Sequence, residues 1–155
     1  MRNVLIRTND PASPPARELI ERLDKYLADL YPAESNHLLS VEALQQPNVT
    51  FLTASVEGAV AGCGSFVHQR GQGGEYAEIK RMFVLPEFRG LKLGRRILDE
   101  IENLVRASGL ELALLETGIY QPEALHLYKS AGYQPRGPFG DYAEDPLSIF
   151  MEKKL

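Results

Sequence analysis

Between Leu110 and Thr117 the chain is almost continuously apolar, through Leu110, Leu112, Ala113, Leu114 and Leu115. A strand of this kind is buried on both faces, so helices must lie above and below its sheet. Helical periodicity flanks it on both sides. Leu93, Ile97, Leu98, Ile101, Leu104 and Val105 recur at helical spacing and stop at Ser108-Gly109. Pro122 to Ala131 reads as a second helix, with Pro122 in its first turn and Gly132 after its end. The middle of the chain has a different character. Val49–Val56, Ala59–His68 and Glu75–Leu85 are rich in strand formers, and Glu57-Gly58 is a hairpin signal. Arg70 to Gly74 reads as a flexible loop, and the small residues Ala61, Gly62, Cys63 and Gly64 permit close packing.

At the start, Val4-Leu5-Ile6 reads as a strand, and Ser13 as the cap of a helix carrying Leu19, Ile20, Leu23, Leu27 and Leu30. Tyr31-Pro32 ends that helix, and Ser40 caps a short one through Leu44. Tyr133 opens a strand and Leu147–Met151 forms the last. The order is β-α-α-β-β-β-α-β-α-β-β. A meander followed by strand-helix-strand predicts an α/β fold (α+β in some schemes). Its sheet is mixed and mostly antiparallel, with helices on both faces. At 155 residues, 1–155 is expected to form a single domain.

The formal net charge of −4 argues against a nucleic-acid partner, which usually requires a basic face. The single cysteine, Cys63, excludes an internal disulfide. No apolar run approaches the ~20 residues of a membrane span, and the N-terminus lacks a signal-peptide pattern. A cytoplasmic protein without membrane contact is expected; nothing in the sequence forbids a homodimer. His37, His68 and His126 lack ligand spacing, so no metal site is expected.

Chemistry concentrates in Val84-Leu85-Pro86-Glu87-Phe88-Arg89-Gly90-Leu91-Lys92-Leu93-Gly94-Arg95-Arg96. A strand ends, a loop with glycine follows, and a helix begins. The unpaired N–H groups and positive dipole of a helix start favour an anion. Arg89, Lys92, Arg95 and Arg96 are the wrong sign for a first helical turn unless such an anion binds there.

This stretch resembles the acyl-CoA-binding motif of the GNAT superfamily of N-acetyltransferases: Gln or Arg, two residues, Gly, one residue, then Gly or Ala. Arg89 opens it and Gly94 closes it, while Lys92 replaces the usual middle glycine. Gln121-Pro122-Glu123-Ala124-Leu125-His126-Leu127-Tyr128-Lys129-Ser130-Ala131-Gly132-Tyr133 resembles the family's segment around a helical tyrosine, with Gln121 in place of Asn and Tyr133 in place of Phe. The resemblance spans roughly residues 49–133. It implies acetyl-CoA as co-substrate, its pyrophosphate on the backbone from Leu91 through Lys92, Leu93 and Gly94 to Arg95, with Arg89 and Gly90 alongside. The pantetheine arm would lie along Met82, Phe83 and Val84, near Gln121.

Transfer to an amine requires a base, because an alkylammonium has a pKa near ~10.4, and a proton donor for the departing thiolate. The resemblance makes Tyr128 the donor and Glu78 the base, with Glu116 as the rival base. Cys63 reads as packed rather than nucleophilic, which favours direct transfer. The acceptor pocket would be shaped by Tyr31, Glu34 and Asn36 and by Phe139, Asp141 and Tyr142. Their mixture of aromatic and acidic residues fits a small, cationic primary amine. Alternatives are a peptide or protein amine, a catalytically inactive CoA-binding module, and a nucleic-acid contact through the Arg89–Arg96 cations. No P-loop sequence is present.

Overall fold

A computed structural model describes residues 3–71 and 73–155. In chain order the elements are β1 (Val4–Thr8), α1 (Pro14–Leu30), α2 (Val41–Leu44), β2 (Val49–Val56), β3 (Ala59–Gly71), β4 (Gly74–Val84), α3 (Leu93–Ala107), β5 (Leu112–Gly118), α4 (Pro122–Ser130), β6 (Gln134–Arg136) and β7 (Ser148–Lys154). Single 3-10 turns at Ala33–Ser35 and Pro86–Phe88 punctuate two connections. The seven strands form one sheet in the order β1-β2-β3-β4-β5-β7-β6. Every pairing is antiparallel except β4 with β5.

Strand alternation sorts the two layers. Leu52, Ala54, Ala77, Ile79, Leu115 and Met151 meet α3 and α4 on one face, against Ile97, Leu98, Ile101, Val105, Tyr128 and Ala131. Phe51 and Cys63 meet α1 and α2 on the other, against Ala16, Leu19, Ile20 and Leu44. Each fully buried aliphatic side chain contributes about 1.5–3 kcal/mol, which makes α3 a principal anchor. Gly64 admits that anchor: a Cβ there would stand 2.6 Å from Met82 Sδ and 2.7 Å from Ile97 Cγ2.

Two local expectations are corrected. Ser13 occupies the helix-start position, but its hydroxyl does not cap α1. Prolines 14 and 15 follow it, so the second helical residue has no N–H to offer. Ser40 does cap, accepting from the Ala43 amide at 3.1 Å. The expected Arg70–Gly74 loop is largely strand, since β3 and β4 pair as far as Gly71 and Gly74; Gln72 lies outside the described residues.

The site is created where the sheet fails to stay closed. The β3–β4 register shifts between Cys63 and Ser65, whose partners are Phe83 and Lys80, leaving an extra residue on β4. Arg81 in that bulge has φ +61°, in the left-handed region. Its buried guanidinium donates to the Leu39 carbonyl at 3.1 Å and pairs with Asp24, which offsets the strain and ties β4 to the α1–α2 side. Pairing between β4 and β5 covers only Ala77–Ile79 against Ala113–Leu115. Beyond it the two strands part.

Candidate active site

Two cavities open into that gap. The larger, about 640 Å³, runs over the end of β4 and the start of α3. Met82, Phe83, Val84, Arg89, Gly90, Lys92, Leu93, Gly94, Arg95 and Gln121 line it, ten of the eleven residues expected to hold the cofactor. The eleventh, Leu91, instead packs below with Val56, Ala61 and Leu93. Past Ile79, β4 has no strand on its β5 side, so its main chain there is free to bond an extended ligand. At the far end the helix-start residue Lys92 has φ +58° and supplies no side-chain cap to α3. The amides of Leu93, Gly94 and Arg95 therefore face the groove without intrahelical partners. An apolar channel with unpaired main chain, ending in cations and free amides, fits an acyl-CoA. Lys92 adopts the conformation that the family's glycine would favour. Tyr26 and His126 also line the groove and were not expected there.

The smaller cavity, about 90 Å³, lies on the α1 side of the gap. Glu78 on β4 stands opposite Leu114 on β5, so Glu116, two residues along, points to the same face. Both carboxylates line the cavity with Tyr31, Asn36 and Tyr142. Three other expected acceptor residues are not brought there. Glu34 and Asp141 are exposed outside its lining, and Phe139 packs behind Tyr142 against Tyr76 and Phe150. His37, Lys80, Arg81 and Thr117 were missed. The signal for Lys80 was available: two residues after Glu78, it shares that residue's face.

The two carboxylates have different surroundings. Glu78 is buried, accepts from the Tyr142 hydroxyl at 2.6 Å and pairs with Lys80 Nζ at 3.4 Å. Lys80 Nζ also donates to the Tyr142 oxygen at 2.7 Å and to the His37 carbonyl at 2.9 Å. Burial, then the adjacent Glu78 charge, raises the Tyr142 hydroxyl well above its ordinary range, keeping it a donor. Glu116 has no cation within ion-pairing distance among the described residues. Burial raises its carboxyl above the usual range, opposed by a Ser148 hydrogen bond and the more distant His37 and Lys80 charges.

Tyr128 on α4 lines both cavities, as do Leu23, Met82 and Gln121. Burial raises its hydroxyl strongly, and the Glu116 charge adds to that. Gln121 is held at the α4 start by accepting from the Gly118 amide and the Tyr31 hydroxyl, both at 3.2 Å. That hydroxyl in turn accepts from the Tyr120 amide at 3.0 Å. A Cβ at Gly118 would lie 1.8 Å from the Tyr31 oxygen, so this hub requires glycine. Tyr31 is thus committed to positioning α4. Cys63 is fully buried, its thiol donates to the Arg81 carbonyl at 3.2 Å, and burial pushes its pKa up to about 12. It is packed, and lines neither cavity.

Comparison with known proteins agrees with this geometry. The model of the Acetyltransferase (GNAT) family matches residues 16–133. An IAA acetyltransferase of Azospirillum brasilense is 52% identical over 155 residues, covering 100% of both chains. A solved Klebsiella pneumoniae chain, described as an acyl-CoA N-acyltransferase, is 34% identical with a TM-score of 0.81, covering 98% of this chain and 97% of that one. An N-acetyltransferase from Thermoplasma acidophilum, solved with coenzyme A, shares the fold at 18% identity and a TM-score of 0.74, over 99% of both chains. Among the described residues no helix is long and apolar enough to cross a membrane. With the sheet parted between β4 and β5, a tyrosine at the gap and a family match over most of its length, the chain belongs to the GNAT family of acetyl-CoA-dependent N-acetyltransferases.

Proposed function

We propose that this protein moves the acetyl group directly to the primary amine of a small molecule, with 1–155 acting as one domain. The observation that carries the reading is the meeting of the two cavities at Tyr128. Bound in the groove, acetyl-CoA supplies an acetyl group activated as a thioester. Met82, Phe83 and Val84 hold its arm by their main chain, and the Leu93–Arg95 amides with Arg89 and Lys92 hold its phosphates. The acceptor enters from the opposite cavity, whose small volume suits an amine on a slender chain rather than a folded peptide segment.

Two protons must move. An alkylammonium with a pKa near ~10.4 loses its proton to a carboxylate, and a carboxylate of raised pKa is the better base. Glu116 meets that condition and has no paired cation, so the reading places the base there. Glu78, the base suggested by the resemblance, has Oε2 engaged by Tyr142 and Lys80 and Oε1 by Gln69, and serves to set the charge of the cavity. As the carbon–nitrogen bond forms and the carbon–sulfur bond breaks, Tyr128, which retains its proton at neutral pH, donates it to the departing sulfur, and the second proton shed by the nitrogen as the amide forms restores the tyrosine.

The test is release of CoA from acetyl-CoA across a panel of amines, amino acids, polyamines and short peptides, with mass spectrometry of the product. Acetylation of a small primary amine supports the reading. Acetylation of peptides alone, or binding of acetyl-CoA without any turnover, overturns it.

A further inference from the structure

The charged groups lining the acceptor cavity nearly cancel. Glu78 is matched by Lys80 at 3.4 Å and Arg81 by Asp24, whereas Glu116 has no ion-pair partner among the described residues; His37 and Lys80, also on the lining, act on it from beyond pairing distance. A guest that balances this cavity carries one positive charge. A dication would overshoot that balance, and a zwitterion would bring no net charge to offset Glu116.

Four large hydrophobic residues of the described structure are exposed, and three of them line the cavity or adjoin its lining residues: Leu38, Ile119 and Tyr120, at 38%, 38% and 51% exposure. Leu38 lines the cavity itself. The Ile119 amide bonds the carbonyl of Leu147, another lining residue, at 3.0 Å. The Tyr120 ring stacks on lining residue Tyr31, centroids 5.6 Å apart and planes 20° from parallel, which leaves its outer face open. An exposed apolar cluster beside a site marks where an apolar ligand rests.

We infer that the acceptor is a monocationic amine with an aromatic or similarly flat apolar body, its ammonium at Glu116 and its body on the Leu38–Ile119–Tyr120 rim. This rests on the amine-acetylation reading above. Tyr120 is the specificity-determining residue: its main-chain amide serves the Tyr31 hub, while its ring makes no aromatic contact but the stack among the described residues.

The experiment compares kcat/KM for 2-phenylethylamine, propylamine, putrescine and phenylalanine. One apolar group in a fitted site discriminates by roughly 10–200-fold, so 2-phenylethylamine should lead each of the others by about tenfold or more. Tyr120→Ala should reduce the 2-phenylethylamine-to-propylamine ratio by about tenfold, chiefly through KM, and Tyr120→Phe should preserve it. Acetyl-CoA affinity reports whether each variant is folded. Acetylation of amines without this preference, a preference for putrescine or phenylalanine, or a ratio unmoved by Tyr120→Ala overturns the inference and leaves amine acetylation standing. Absence of turnover on every amine, with acetyl-CoA still bound, overturns both.

Discussion

The groove over β4 and the cavity beneath α1 share Tyr128 but are built by different means. The groove is made from main chain and apolar surface: a strand edge without a neighbour, helix-start amides, and exposed cations at one end. The cavity is made from side chains drawn from α1, β4, β5, α4 and the loops before α2 and β7, and its polarity depends on which charges are paired. A backbone-built site tolerates side-chain exchange, as Lys92 in the place of a glycine illustrates. A site of paired charges does not, since removing one partner leaves the other buried and uncompensated. Substitutions in the cavity should therefore act on turnover, and those in the groove on cofactor binding.

The largest expected effect is that of Glu116→Gln. Loss of a general base costs about 10²–10⁴ in turnover. Acetyl-CoA affinity by calorimetry should be unchanged, because Glu116 lines only the acceptor cavity. The pH profile is the sharper readout. A base works only when deprotonated, so activity should fall as pH drops through the raised Glu116 value, on a limb above the ordinary carboxylate value of ~4.3. If Glu78→Gln abolishes that limb and Glu116→Gln retains it, the two carboxylates exchange roles.

Tyr128→Phe comes next, with about a 10²-fold fall in turnover and little change in acetyl-CoA binding. As the residue shared by both cavities, it tests where one ends and the other begins. Unchanged turnover with unchanged affinity would reduce Tyr128 to a packing residue, consistent with its edge contact to Tyr133. A smaller effect is expected from Gly94→Asp, which brings a negative charge to the phosphate end of the groove. Its Cβ would meet Leu127 Cδ2 at 3.3 Å, which can yield, and Val84 Cγ2 at an ordinary 4.0 Å, so the fold should survive. Acetyl-CoA affinity should fall roughly tenfold, about 1.4 kcal/mol, with the loss shrinking at high salt. Equal affinity would move the phosphates away from the α3 start.

The same contrast explains what the sequence could and could not convey. The groove was legible because its parts are contiguous: the end of one strand and the start of the next helix lie within Met82–Arg95. The element order was legible because strand and helix periods alternate cleanly. At Ser13, Pro15 removes one of the two amides a cap hydroxyl can use, a local conflict visible in the sequence itself, and the hydroxyl does not bond the other, that of Ala16. The cavity was only half legible because its residues meet across large sequence separations. Tyr31 reaches Gln121, Tyr142 reaches Glu78, and Arg81 reaches Asp24 and Leu39. Glu34, Asp141 and Tyr142 are all polar loop residues, and it is Tyr142 whose ring packs on Phe139 and Phe150 and whose hydroxyl meets Glu78 and Lys80, contacts made across the fold.

The smallest effect bears most directly on the charge comparison. Burial raises Glu116, so its folded value lies above the unfolded one near ~4.3. The sign follows from linkage: such a group stabilises the fold fully below the unfolded value, and that contribution is lost as pH rises through the folded value. At pH 7 the wild-type protein therefore holds a charge it would be more stable without, a cost retained for function. Glu116→Gln should raise the thermal midpoint at pH 7, and the gain should shrink as pH is lowered toward ~4.3. Glu78→Gln, by contrast, strands the Lys80 charge and should lower the midpoint at pH 7. If both substitutions lower it, Glu116 is compensated like Glu78. The cavity then has no unbalanced charge to receive an ammonium.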